Sequence, residues 1–182
     1  MIYINTSLGT LYLTYINLMI LNLDYNCLNY PKGDAMLIEK KNIPLVAMDF
    51  MNDVHKEDVE IINALYLCIL DYEKDPKQNN AQTINEKYEE WYTHTRAHFK
   101  GEEQKMVEMD FPPYPMHKGE HNKAMQRMEE VLRHWNRSKD IQALKRYIST
   151  EVPAWLTHHI ETMDTITAMF FSSGLSPCAL AE

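Results

Sequence analysis

The residues with the clearest capacity for chemistry lie between His94 and His121, where two pairs of metal-type ligands recur at helical spacing. His98 and Glu102 are four residues apart, and so are His117 and His121. On a helix, residues four apart share a face, with Cβ atoms roughly 5–6 Å apart, so each pair can present two donors to one metal ion. One such pair often arises by chance on a solvated helix. Two pairs in succession predict a metal site and call for further ligands elsewhere in the chain.

The elements that must position these pairs are helices. Only five glycines in 182 residues argue against a turn-rich β fold, and the abundance of Glu, Lys, Leu and Ala favours helix. Apolar and ligand-type residues recur at steps of three and four over about 45–72, 83–109, 116–135 and 140–171. Because the connections between these segments are short, the sequence predicts an all-α, up-down-up-down four-helix bundle.

Prolines and polar runs mark the expected breaks between the helices. The polar stretch 73–82 is expected to be a loop, and the proline-rich DFPPYP should end the second helix. Pro153 should kink the fourth helix or mark its restart, with Ser149 or Thr150 as a cap. Gly174 is expected to end that helix.

Each of the four predicted inward faces carries ligand-type residues, namely His55; His98 and Glu102; His117 and His121; and His159 and Asp164. For one buried histidine alone, a hydrogen-bonded core residue is the commoner explanation. Seven unpaired polar groups inside one bundle would cost several kcal/mol in total, and metal binding offsets that cost. Five imidazoles and two carboxylates are too many for one tetrahedral zinc ion, and carboxylates can bridge metals, so the predicted site holds two ions.

The order of these ligands is His, His-x-x-x-Glu, His-x-x-x-His, His-x-x-x-x-Asp, which resembles the pattern of the hemerythrin family. The segments HFKGEEQKM, HKGEH and WLTHHIETMD resemble the second-, third- and fourth-helix signatures of that family. The resemblance covers about residues 45–172 and is specific, because seven ligands in this order on four helices rarely arise by accident. It implies a hemerythrin-like fold and a non-heme di-iron site.

The resemblance also implies a role for each ligand. His117, His121 and His159 would hold one iron, and His55 and His98 the other. Glu102 and Asp164 would bridge the two ions, with an oxo or hydroxo group between them. The iron with two histidines would then keep one open position, at which the family binds O₂.

Other residues of the implied oxygen pocket are apolar, with one exception. Phe99, Trp155 and Ile160 match apolar pocket positions of the family, although ordinary core packing also explains them. Asp58 lies where many family members have leucine. A carboxylate there could bind the open iron, hydrogen-bond to its ligand or supply a proton, and each role would shorten the life of an oxygen adduct.

Three further histidines are predicted not to be ligands, and other functions of the site stay open. His94 lies one turn before His98 on the same face and is a conceivable substitute ligand, although it is expected not to bind. His158 would leave Asp164 six residues away, out of helical phase, and His134 is expected on the surface. The resemblance favours a non-catalytic protein that binds, stores or delivers O₂. A di-iron redox enzyme or sensor acting on O₂, peroxide or NO is the alternative, and iron handling is a minor one. The ferritin-like di-iron class is disfavoured, because the chain contains no Glu-x-x-His.

Composition restricts the partners and the compartment. A net charge of −8 disfavours nucleic acid or an anionic membrane as partner. The three cysteines are far apart and lack CxxC spacing, which favours a reducing cytoplasm. The sequence does not indicate an oligomeric state.

The first 35 residues differ in composition from the predicted di-iron domain at 36–174, and 175–182 forms a short tail. The extension has no Lys or Arg before Lys32, which is unlike a signal peptide, and its polar residues disfavour a membrane helix. It is interpreted as an extra helix or strand on the bundle, or as translated leader. The leader hypothesis puts the natural start at Met36, because the preceding codons can spell a purine-rich ribosome-binding site.

Overall fold

A computed structural model describes residues 36–173 of the chain. The predicted extension at 1–35, the tail at 175–182 and the helix stop at Gly174 lie outside this range. Within it the chain forms four long helices and no β-strand: α1 is Asp49–Lys74, α2 is Gln78–Glu108, α3 is Tyr114–Ser138, and α4 covers 141–173. Each helix packs against the next, and α4 closes the bundle against α1. The predicted all-α, up-down-up-down bundle is confirmed.

The segment before α1 is irregular apart from a 3₁₀ turn at Lys40–Asn42, and two asparagine side chains of α1 hold it. Asn52 accepts a hydrogen bond from the backbone N–H of Val46 and donates one to its carbonyl, and Asn63 does the same to Ile38, at 2.8–2.9 Å. The helix therefore begins at Asp49 and not near Leu45, whose side chain is exposed. Asn52 therefore ties the preceding segment to α1.

The connection between α1 and α2 is shorter than predicted, because α2 begins inside the polar stretch 73–82 that was expected to be a loop. Asn80 faces solvent, and its amide donates to the carbonyl of Asp75 at 2.7 Å, which ties the start of α2 to the turn. Polar residues on the solvent side of a first helical turn resemble a loop in sequence, so composition placed this boundary too late.

Helix α4 passes Pro153 without a break. It runs as α-helix at Ile141–Arg146, a π-helical turn at Tyr147–Glu151, α-helix at Val152–His159, a second π-helical turn at Ile160–Asp164, and α-helix at Thr165–Ser173. The first π turn lets the Val152 N–H donate to the Tyr147 carbonyl, five residues back. This shift accommodates a proline that lacks an N–H. The predicted cap at Ser149 or Thr150 is wrong, because the backbone there stays helical.

The antiparallel arrangement places the predicted ligands in one half of the bundle, between two apolar layers. One layer fills the other half of the bundle and includes Leu65, Ile69, Ile84, Tyr88, Trp135, Leu144 and Ile148. The other layer closes the end of the bundle nearest the ligands and consists of Met51, Met106, Phe111, Phe170 and Phe171. Within 36–173, none of the helices combines the length and apolarity needed to span a membrane.

Candidate metal centre

The structure brings all seven predicted ligands into one buried cluster. Each of the four helices contributes at least one side chain, and the exposed fraction of these side chains is 5% or less. The Nε2 atoms of His117 and His159 lie 3.2 Å apart, and the ring centroids of His55 and His98 are 5.3 Å apart. The cluster was predicted from helical spacing alone. That its members bind metal stays a prediction.

Glu102 divides its two carboxylate oxygens between two groups of histidines. Its Oε1 lies 3.1 Å from Nε2 of His98, whereas Oε2 lies 3.5 Å from Nε2 of His121 and 3.8 Å from Nε2 of His117. One oxygen therefore faces each group, which is the arrangement by which a carboxylate can bridge two cations.

Asp164 divides its oxygens in the same way. Its Oδ2 lies 3.2 Å from Nε2 of His55, and its Oδ1 lies 3.3 Å from Nε2 of both His117 and His159. Together the two carboxylates define a two-histidine group, His55 and His98, and a three-histidine group, His117, His121 and His159. Each group faces one oxygen of each carboxylate.

The second π turn of α4 explains how Asp164 reaches this position. In a regular α-helix, residues five apart are rotated by about 140° around the axis. The π turn at Ile160–Asp164 lets the Thr165 N–H donate to the Ile160 carbonyl, so the helix takes an extra residue in that turn. His159 and Asp164 therefore face the same interior. This is why the ligand pair of α4 has a spacing of five residues where the pairs of α2 and α3 have four.

The donor atoms fit a bound cation. Among residues 36–173, the buried atoms that lack a hydrogen-bond partner include Nε2 of His55 and His121, Oε2 of Glu102 and both Asp164 oxygens. Ligand atoms of Glu102 and the three-histidine group lie within 4.8 Å of one another, and so do those of Glu102 with His55 and His98. Buried polar atoms without partners are costly, and a cation would satisfy several of them at once.

Outer contacts hold two histidines of the three-histidine group with Nε2 facing inward. The hydroxyl of Thr167 donates to the Met163 carbonyl and therefore accepts from Nδ1–H of His117, each at 2.9 Å. Nδ1 of His121 donates to Oε1 of Glu103 at 3.2 Å. Such contacts fix the tautomer and orientation of a metal-binding imidazole.

His98 in the two-histidine group has an equivalent contact. Its Nδ1 lies 2.9 Å from Oδ2 of Asp58, and its Nε2 faces Glu102. The sequence pattern did not indicate Thr167 or Glu103, although Thr167 lies three residues after Asp164, on the same side of α4. Asp58 was singled out, but for a different role.

Burial and neighbouring charges shift the pKa values of individual ligands in different directions. Burial opposes a positive charge on His98, but the nearby Glu102 and Asp58 outweigh it, and the pKa of His98 rises well above its usual value. Burial, together with repulsion from His117 and His159, lowers the pKa of His121 to about 2. Burial alone would raise the pKa of Asp164, yet the imidazoles of His117, His159 and His55 that surround its carboxylate lower it well below its usual value. His121 is therefore neutral and Asp164 ionised, as metal binding requires.

A cavity of about 310 Å³ adjoins the two-histidine group. Its lining includes His55, His98, His159 and Asp164, but not His117 or His121. Of the predicted pocket residues, Asp58, Phe99 and Trp155 line it. Ring stacking holds the two aromatic residues, since Phe99 lies on His121 at 3.8 Å between centroids and Trp155 on His159 at 4.6 Å.

Ile160 is not among the residues that line this cavity, and its place in the oxygen pocket stays a prediction. It is fully buried, and it directly follows His159, so its side chain leaves the helix in a direction rotated by about 100°. The predicted non-ligands differ in position. His158 and His134 are exposed, whereas Nε2 of His94 lies 3.6 Å from Oδ1 of Asp58.

The fold and the site define a class: a four-helix bundle with a buried histidine–carboxylate cluster suited to two bridged metal ions. Sequence comparison agrees, because the sequence model of the Hemerythrin HHE cation binding domain matches residues 46–170. The chain belongs to the hemerythrin family.

Two bacteriohemerythrins are similar to this chain. That of Aquifex aeolicus (strain VF5) is 30% identical over 133 residues, which cover 73% of this chain and 96% of that protein. That of Ralstonia nicotianae (strain ATCC BAA-1114 / GMI1000) is 39% identical over 72 residues, which cover 39% of this chain and 50% of that protein. No solved structure matches the chain significantly.

Proposed function

We propose that the chain holds two iron ions in this cluster and uses them to bind O₂ reversibly. The observation that carries the proposal is the position of the cavity, which is lined by both histidines of the two-histidine group but by only His159 of the three-histidine group. An ion held by His55, His98 and the two shared carboxylates has one protein ligand fewer than its neighbour. Its open position would therefore lie on the side on which a small molecule can enter.

The residues present fit this pair of ions. The three-histidine group with one oxygen from each carboxylate supplies five protein ligands, and the two-histidine group with the other two oxygens supplies four. Imidazole and carboxylate together suit iron, and a group with two imidazoles and two carboxylate oxygens leaves a position free. When bound, two ferrous ions would supply the two electrons that hold O₂, and they would regain these electrons when O₂ is released.

The chain's own contribution would be to keep the site dry. Phe99 and Trp155 cover ligand histidines with their rings, and Met128, Val152 and Leu156 extend the apolar wall of the cavity. Excluding water strengthens the interactions inside the site and suppresses side reactions of the bound oxygen.

We place this protein in the cytoplasm, because cysteine usage favours a reducing compartment.

The second candidate function is a redox enzyme or sensor that acts on O₂, peroxide or NO. It is favoured by Asp58, a buried carboxylate that lines the cavity where an apolar side chain would suit an oxygen carrier better. Beside a reactive ligand, a carboxylate can hydrogen-bond to it or exchange a proton with it.

Oxygen binding is tested by loading the full chain with Fe(II) without air, then recording visible spectra while O₂ is admitted and removed. Reversible binding predicts an absorption band that appears with O₂ and disappears under argon over repeated cycles. Irreversible conversion in the first cycle would overturn this proposal. If the reduced protein also consumed hydrogen peroxide over many turnovers, the redox function would replace it.

A further inference from the structure

Asp58 makes a contact that its predicted roles do not explain. The residue lies on α1, is 4% exposed, and reaches across to α2, where its Oδ2 accepts a hydrogen bond from Nδ1–H of His98 at 2.9 Å. The two nitrogens of an imidazole face away from each other. Asp58 therefore lies behind the His98 ring, on the side opposite Glu102.

We propose that Asp58 is the positioning residue of the two-histidine group. It holds the His98 ring so that Nε2 of His98 can bind the metal ion of that group, called here the second ion. The inference rests on the proposed two-metal centre and adds a residue to it. It assigns Asp58 a structural function toward one particular ion and does not make it a ligand of that ion.

The remaining contacts of Asp58 suit this role, because they fix the carboxylate itself. Its Oδ1 lies 3.4 Å from the hydroxyl of Thr95 and 3.6 Å from Nε2 of His94. Thr95 and His98 both belong to α2, so two side chains of the neighbouring helix hydrogen-bond to one carboxylate on α1, whereas His94 lies just beyond hydrogen-bond distance. A buried carboxylate is costly unless it is hydrogen-bonded, and these contacts offset that cost.

The two metal positions differ in how they are supported, which makes the second ion dependent on Asp58. In the three-histidine group, Thr167 holds His117 and Glu103 holds His121. In the two-histidine group, neither ring nitrogen of His55 has a hydrogen-bond partner within the described part of the chain. The contact between Asp58 and His98 is therefore the outer support that the structure shows for this group.

A pair of substitutions separates positioning from general packing. In Asp58→Leu the acceptor is lost and Nδ1–H of His98 faces an apolar side chain. In Asp58→Asn the amide oxygen still accepts from Nδ1–H, although the charge is lost. Asp53→Leu is the matched control, because Asp53 is an exposed aspartate of the same helix that pairs only with Lys56 among the contacts described.

The experiment is an anaerobic Fe(II) titration of the full chain against a competing chelator, which gives two affinities per chain. Loss of an outer contact of this kind typically weakens metal binding about 10–100-fold. Asp58→Leu should lower one affinity by roughly that factor and leave the other unchanged. Asp58→Asn should lose clearly less, and Asp53→Leu nothing. Unchanged affinities in Asp58→Leu, an equal fall in both, or equal losses in the leucine and asparagine variants would overturn the proposal.

A second measurement keeps the test decisive if the leucine variant does not fold. In the zinc-loaded wild type, proton NMR with ¹⁵N-labelled histidine should show the Nδ1 proton of His98 far downfield and slow to exchange. Asp58→Asn should move this resonance upfield, since an amide oxygen is a weaker acceptor than a carboxylate. An unmoved resonance would refute the contact. Neither readout uses O₂, so failure of reversible oxygen binding overturns the proposed function and not this inference.

Discussion

Replacing Thr167 by valine should weaken the binding of the metal ion in the three-histidine group. Valine keeps the shape of threonine but removes the oxygen that accepts from Nδ1–H of His117 at 2.9 Å. Both residues are fully buried, so no solvent replaces the lost acceptor. The N–H must then stay unpaired, or the ring must change tautomer.

The penalty falls mainly on the metal-bound state. Without metal, His117 can move its proton to Nε2, which lies 3.3 Å from Oδ1 of Asp164. A metal ion on Nε2 prevents this change, so the unpaired Nδ1–H persists. A buried donor without a partner costs about 1–3 kcal/mol. Since about 1.4 kcal/mol is a factor of ten, the affinity for that ion should fall roughly 5- to 140-fold.

The assay is an anaerobic Fe(II) titration with a competing chelator, together with urea unfolding of the metal-free protein. Thr167→Ser keeps the hydroxyl and should bind nearly as wild type does. Thr165→Val is the matched control, because the Thr165 hydroxyl also donates to a backbone carbonyl, that of Ile160 at 2.8 Å, and contacts no ligand histidine in the structure described. Wild-type affinity in Thr167→Val, or an equal loss in Thr165→Val, would refute the reasoning.

Three further outcomes are expected. Glu102→Gln should reduce tightly bound iron from two ions per chain to one in metal analysis after gel filtration, because an amide offers one oxygen where the carboxylate offers two. Glu108→Gln, at an exposed glutamate of the same helix, should keep both ions. Two ions in Glu102→Gln would count against bridging. Phe99→Ala should lose about 3–5 kcal/mol in urea unfolding of the metal-free protein, since this buried ring stacks on a ligand histidine; a loss below about 1 kcal/mol would show that the ring is not packed as described. The hydrogen bond from Lys145 lowers the pKa of Glu73 in the folded protein. The pair therefore contributes stability above the unfolded-state pKa of about 4.3, and this contribution is lost as the pH falls through the lower pKa of the folded state. Glu73→Gln should therefore cost under about 1 kcal/mol at pH 7 and nothing at pH 2, and a difference that persisted at pH 2 would contradict the assignment.

Most of the fold and the positions of the ligands could be predicted, because helical phase is a local property of the sequence. His98 with Glu102, and His117 with His121, need only a regular helix to share a face, and the apolar residues around them identify that face as inward. The confirmed bundle then follows from four such faces and short connections.

The irregular backbone of α4 could not be predicted in this way. A π turn is a shift in hydrogen-bond register that tertiary packing stabilises, and ordinary periodicity does not reveal it. Two signals were nevertheless present in the sequence: Pro153, which a regular helix interior disfavours, and the spacing of five between His159 and Asp164. Pro153 follows the first π turn by two residues, and Asp164 is the last residue of the second.

Contacts between distant segments were also beyond the sequence pattern. Asp58 was recognisable as a polar residue on an apolar face, but its partner His98 lies 40 residues away on another helix. Thr167 and Glu103 act through side-chain geometry that no spacing rule specifies.

Anomalous diffraction at the iron edge, from crystals of the anaerobically loaded full chain, would locate the two ions directly. We expect two iron peaks per chain, one among His117, His121 and His159 and one between His55 and His98, with Glu102 and Asp164 each contacting both. A single peak, or two peaks that do not share these carboxylates, would contradict this expectation.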